Sequence, residues 1–99
     1  MSVKGETLEK TRINIREPKH YRVIMHNDDF TPMDFVVQIL EEIFHKAQPE
    51  AVHLMMTVHE SGRAVVGAYP YDIAATKVQT AAARAEAEEY PFRMTIEEV

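Results

Sequence analysis

The run Tyr21-Arg22-Val23-Ile24-Met25-His26-Asn27-Asp28-Asp29-Phe30-Thr31-Pro32-Met33-Asp34-Phe35-Val36 passes from one hydrophobic period to another across a polar turn. Tyr21, Val23 and Met25 alternate with Arg22 and His26, a short strand signal in which Ile24 breaks the alternation and predicts partial cover on both strand faces. Beyond the turn the spacing becomes helical. Thr31 is a good N-cap, Pro32 suits the first helical position, and Asp34 resembles the far member of a capping box with Asp in place of Glu. Asn27, Asp28 and Asp29 all precede that cap, where only one or two backbone donors remain, so the turn carries more acceptors than capping uses.

Downstream, the spacing predicts a helix from Pro32 to about Lys46. Asp34, Gln38, Glu41, Glu42 and His45 fall within a narrow polar arc, and Phe35, Val36, Ile39, Leu40 and Ile43 can face a core. Met33, Val37 and Phe44 widen the apolar stripe, so this helix meets two neighbours, or one neighbour and a ligand. A second helix starts near Pro49 and stops before Gly62, with Val52, Met55, Met56 and His59 at helical spacing. Residues 63–69 read as a strand in which Gly67 marks a bulge or a close approach. An Ala-rich helix over residues 71–89 follows, stopped by Pro91, and Phe92, Met94 and Ile96 alternate with polar residues in a last strand.

The order is β-α-α-β-α-β, an α+β fold with a three-stranded antiparallel sheet packed on three helices. Upstream, residues 1–17 read as a flexible, polar N-terminal extension, leaving residues 18–99 as the core domain. No internal repeat interrupts the pattern.

Composition narrows the function classes. A chain of 99 residues with 45% hydrophobic content supports one compact domain, and the absence of cysteine removes disulfides and thiolate metal sites and suits the cytoplasm. The first residues have no apolar signal region, and no stretch approaches the roughly 18 apolar residues of a membrane span. A formal net charge of −5 argues against a nucleic-acid partner, which draws its affinity from clustered cations, and favours a cationic one. Enzyme signatures are missing: there is no Gly-x-Ser-x-Gly elbow, no His pair at metalloprotease spacing, and no Gly-rich phosphate loop. No cofactor or metal is expected.

One constellation remains, formed by Asn27, Asp28, Asp29 and His59. Taken locally, its plainer reading is a capped turn and a partly buried histidine. Against that stands the concentration of Met33, Met55 and Met56 near Val36 and Val58, because the flexible thioether suits surfaces that adapt to varied apolar guests.

The segments Asn27-Asp28-Asp29-Phe30-Thr31-Pro32-Met33-Asp34-Phe35-Val36, Met55-Met56-Thr57-Val58-His59 and Thr76-Lys77-Val78 resemble the ClpS family, the bacterial adaptors of the N-degron (N-end rule) pathway. The resemblance spans residues 20–99, and the family's fold, related to the C-terminal domain of the ribosomal stalk protein, agrees with the element order above. It implies a non-catalytic adaptor that binds N-degron peptides and proteins with N-terminal Leu, Phe, Tyr or Trp. The adaptor then delivers them to the N-terminal domain of a Clp AAA+ unfoldase, ClpA or a ClpC-like relative, for degradation by ClpP.

By position, the resemblance implies that Asn27 and His59 hold the substrate's α-amino group, with Asp28 acting directly or through water and Asp29 addressing the first peptide amide. Thr31, Met33, Val36, Ile39, Met55, Val58 and Phe92 would line the side-chain pocket, Met33 as a gate against β-branched residues, and Asp72 and Lys77 would dock the unfoldase. Phe92 stands where many relatives carry Leu, which implies an altered preference among the bulky residues. Two other readings of the constellation are a stalk-like interaction module indifferent to a free amine, and a metal-dependent hydrolase using Asp28, Asp29 and His59.

Overall fold

The structure, a computed structural model, describes residues 19–99, so the extension assigned to residues 1–17 lies outside the described residues. The described elements are β1 (His20–His26), α1 (Met33–Glu42), α2 (Gln48–Ser61), β2 (Arg63–Pro70), α3 (Tyr71–Ala87) and β3 (Arg93–Glu98). The strands form one antiparallel sheet in the order β2-β1-β3. Fold class and element order are those read from the hydrophobic periods.

β1 is the central strand, which is why it breaks alternation. Val23 and Met25 face the helices and join the main core, while Ile24 points to the opposite face, and all three are completely buried. Register explains the cover on that outer face: Arg63 lies opposite His26 and Glu97 opposite Arg22. The Arg63–Glu97 ion pair at 2.9 Å therefore crosses over Ile24, its Arg stem contributing apolar cover beneath the charge. Between β1 and β2 the register shifts at Val23/Ile24. Gly67 sits at this irregularity, and a side chain there would stand 2.8 Å from the Tyr69 hydroxyl, so the ring's position requires glycine.

Two helical expectations change. α1 ends at Glu42 instead of near Lys46. Lys77 Nζ donates to the Ile43 carbonyl at 2.8 Å, satisfying an acceptor left open where the helix stops. The chain then turns through His45 at φ 56, and the Lys46 N–H returns to the Leu40 carbonyl at 3.0 Å. This turn brings Phe44 into the core, 5% exposed.

α2 buries Ala51, Met55 and Val58, while Val52 and Met56 are largely exposed. The inward stripe thus keeps Met55 but runs through Ala51 and Val58 instead of Val52 and His59, one position from the sequence reading. His59, at the helix end, is exposed and not partly buried. α3 buries Ala74, Ala81 and Ala85 against the sheet, as its Ala-rich sequence predicts.

Candidate functional site

The chain leaves β1 at His26, and the Asn27 N–H donates to the Gly62 carbonyl at 2.9 Å. Gly62 ends α2 in the left-handed conformation, φ 88, that glycine adopts without cost. This bond pins the acidic turn to the end of α2 that carries His59.

Asp28 organises the turn. Its Oδ1 accepts the N–H groups of Phe30 at 2.8 Å and Thr31 at 2.7 Å, and its Oδ2 accepts the Thr31 hydroxyl at 2.8 Å. The capping box is therefore absent. Pro32, extended at ψ 144, holds the cap position of α1 with no side-chain hydrogen bond, and Asp34 accepts the neighbouring Phe35 N–H at 3.0 Å. Thr31 is not the cap because the helix starts one residue later than the sequence suggests, at Met33, which leaves Thr31 outside the first turn with its hydroxyl donating to Asp28.

Partial burial works to raise the Asp28 pKa, but the bonds from Thr31 and Phe30 outweigh it and hold the carboxyl below its usual 3.8. The side chains of Asn27 and Asp29 are exposed and hydrogen-bond no other described residue. The surplus of acceptors read from the sequence is thus located: Asp28 is largely used within the turn, Asn27 and Asp29 are not.

Between this turn, α1 and α2 opens a cavity of about 180 Å³, lined by His26, Asn27, Asp28, Asp29, Thr31, Met33, Val36, Met55, Val58, His59 and Phe92. Five segments contribute, with His26 coming from the end of β1. The turn and His59 give the polar side, Met33 and Val36 come from α1, Met55 and Val58 from α2, and Phe92 from the approach to β3. Val36, Met55, Val58 and Phe92 are buried, whereas Met33 is 46% exposed at the rim. The volume is below the 300–1,000 Å³ of typical small-molecule sites, which suits one amino-acid side chain and not a nucleotide.

All but one of the cavity residues inferred from sequence converge here. The exception is Ile39, which is fully buried in the core and does not line the cavity. It lies three residues, just under one turn, along α1 from Val36 and packs in the main core. Of the two docking positions, Asp72 is exposed in the first turn of α3. Lys77 is half-buried, bonded to Ile43 and placed 5.6 Å and 5.4 Å from the ring centroids of Phe44 and Tyr69.

His26 is the lining residue that sequence reasoning left out. Its Nε2 lies 2.7 Å from Thr95 Oγ1 on the neighbouring strand. Burial, then the Arg93 and Arg63 cations, lower its pKa below the usual 6.5 against a smaller upward pull from Glu97. Its position as the last strand residue before Asn27 was the available signal. Among the described residues no three His, Asp or Glu side chains converge as a metal site, and no helix is long and apolar enough to cross a membrane.

Comparison with known proteins adds an independent line. Residues 16–95 match the family model described as ATP-dependent Clp protease adaptor protein ClpS. The ATP-dependent Clp protease adapter protein ClpS of Syntrophus aciditrophicus is 51% identical over 85 residues, covering 86% of this chain and 79% of its own. The protein of the same name from Wolinella succinogenes is 45% identical over 101 residues, covering 99% of each. Among solved structures, Agrobacterium tumefaciens ClpS2 bound to L-phenylalaninamide superposes with a TM-score of 0.81 at 36% identity, covering 84% of this chain and all of that one.

Proposed function

The chain belongs to the ClpS family of adaptors of the ATP-dependent Clp protease, a non-catalytic role, and on that premise we propose that its cavity receives the first residue of a polypeptide whose free amine is Leu-, Phe-, Tyr- or Trp-terminal. The observation that carries this reading is a cavity of about 180 Å³ with one apolar wall, of Met33, Val36, Met55, Val58 and Phe92, facing a polar wall that includes the free acceptors of Asn27 and Asp29. An N-terminal residue has the complementary parts, an apolar side chain beside an ammonium with three donors. L-phenylalaninamide, the ligand of the Agrobacterium relative, has the same chemistry: a free α-amine, an aromatic side chain and an amide in place of the next peptide bond.

In this reading Asn27 and His59 accept from the ammonium, Asp29 accepts from the first peptide N–H, and Met33, Val36, Met55, Val58 and Phe92 enclose the side chain. Burying a Leu or Phe side chain contributes about 1.5–3 kcal/mol, and each hydrogen bond to a charged group about 1.5–3 kcal/mol. After ordering costs the sum is roughly −7 to −8 kcal/mol, which is micromolar binding. Neither half suffices alone. The bound protein is then handed to the N-terminal domain of a Clp AAA+ unfoldase, ClpA or ClpC-like, in the cytoplasm for degradation by ClpP, with the exposed Asp72 region of α3 as the docking face.

Fluorescence anisotropy with labelled peptides differing only at the first residue tests the reading. Leu, Phe, Tyr and Trp peptides should bind in the micromolar range or tighter, Val should bind poorly, and N-acetyl-Leu should not bind. Equal affinity for Leu and acetyl-Leu would sink the amine site and leave a stalk-like interaction module.

A further inference from the structure

The turn that borders the cavity contains the wrong kind of group for an ammonium. The N–H groups of Phe30 and Thr31 and the Thr31 hydroxyl are three donors converging at one corner, the arrangement that ordinarily binds anions. All three are occupied by a single internal carboxylate, Asp28, at 2.7–2.8 Å. A carboxylate offers about four acceptor positions on its two oxygens, so most of its capacity is already engaged. Asn27 and Asp29, on either side, keep theirs.

We propose that Asp28 is a positioning residue that fills this donor nest with the protein's own carboxylate, so that the mouth of the cavity shows the ligand acceptors only. It acts through Thr31 and Phe30: holding them fixes the turn in which Asn27 and Asp29 present their oxygens, and removes the Thr31 hydroxyl proton from the cavity wall. Asn27 and His59 make the contact with the amine. This assignment rests on the N-terminal-residue reading above and differs from it in one respect, since it takes Asp28 out of direct contact with the ligand. The hydrogen bonds that depress its pKa also keep the carboxylate ionised throughout the neutral and mildly acidic range, so the nest stays filled.

The two roles separate in the neutral isostere. In Asp28→Asn the amide oxygen can still accept the backbone N–H groups and the amide nitrogen can donate to Thr31 Oγ1, so the turn survives without its charge. Asp28→Ala leaves three donors open to the mouth. With a labelled free-amine Leu peptide, Asp28→Ala should bind at least about tenfold more weakly than the unmodified chain. Asp28→Asn should stay within about fivefold, and Asn27→Ala, a contact group, should lose at least about tenfold.

Loss in Asp28→Asn beyond that fivefold limit, or no loss in Asp28→Ala, overturns the positioning role. If Asp28→Ala does not fold, as its thermal unfolding will show, Asp28→Asn against the unmodified chain decides alone by the same limit. Failure of the unmodified chain to distinguish Leu from acetyl-Leu would instead remove the N-terminal-residue reading, a separate outcome read in the same plates.

Discussion

At its amino end α1 grows out of a turn whose Asn27 and Asp29 side chains hydrogen-bond no other described residue, whereas at its carboxyl end the lysine that the resemblance marks is engaged internally. There Lys77 Nζ donates to the Ile43 carbonyl at 2.8 Å and faces the rings of Phe44 and Tyr69. Both ends combine charge with apolar neighbours, and the resemblance attaches functional residues to both. The difference lies in what remains available: a polar group already matched within the fold contributes stability, and an unmatched acceptor beside a cavity is free to bind. By this criterion the proposed ligand site belongs to the amino end, while Lys77 at the carboxyl end has a structural role whether or not it also docks a partner.

The largest effect is expected from removing the free acceptors. Asn27→Ala combined with His59→Ala deletes two charge-assisted bonds, about 3–6 kcal/mol together, and should weaken Leu-peptide binding by more than about 100-fold. Its thermal unfolding should move by no more than a few degrees. A large drop in melting temperature would show that these groups are engaged in stability after all and erase the contrast between the two ends.

Next comes Ile39→Ala, between the ends. As a core residue with no exposed surface it should cost about 2–5 kcal/mol of stability in urea unfolding while leaving the rank order of Leu, Phe, Tyr and Trp peptides intact. A changed rank order would return Ile39 to the cavity wall.

Lys77→Ala is a smaller perturbation. It leaves the Ile43 carbonyl without its donor and removes a half-solvated cation from two rings, about 1–2 kcal/mol, or a melting temperature lower by several degrees. Peptide affinity should not follow. Weakened unfoldase binding with unchanged melting temperature would instead make Lys77 a docking contact in its own right.

The smallest effect is expected from pH. His26 and Asp28 both have lowered pKa values in the folded state. For each group the stabilising contribution is complete above its unfolded value, 6.5 and 3.8 respectively, and is lost as pH falls through the folded value. A slight fall in the urea midpoint between about pH 7.5 and 5.5 should thus arise from His26 and vanish in His26→Gln, and the Asp28 contribution should persist until the solution is strongly acidic. A midpoint that falls equally in His26→Gln would assign the titration elsewhere.

Much of this molecule was legible before its coordinates. The switch from strand to helical period across Asn27–Thr31 located the turn, Gly62 and Pro91 marked two helix ends, and the break of alternation at Ile24 marked a strand covered on both faces, which the structure shows to be the central one. The errors were errors of phase and of partner. Val52 and Met56 continue the helical stripe as well as Ala51 and Val58 do on hydrophobicity, and only the orientation in which the helix packs on its neighbours selects the second set. Thr31 satisfies every local rule for a cap, yet the helix starts one residue later, with Pro32 at the cap and Thr31 bonded back to Asp28.

Sequence alone therefore determined the class of fold, the order of its elements, the family resemblance and the residue types of the site, because these follow from local periodicity and from motifs contiguous in the chain. Tertiary structure decided which acceptors are free. It joined Asn27 to Gly62 across the chain and thereby brought His59 to the turn, used Asp28 to fill the donors of Phe30 and Thr31, placed Ile39 behind the cavity, and capped the open end of α1 with a lysine from α3. Whether a polar group is matched or available depends on partners distant in sequence, and those distances are fixed only when the layers pack.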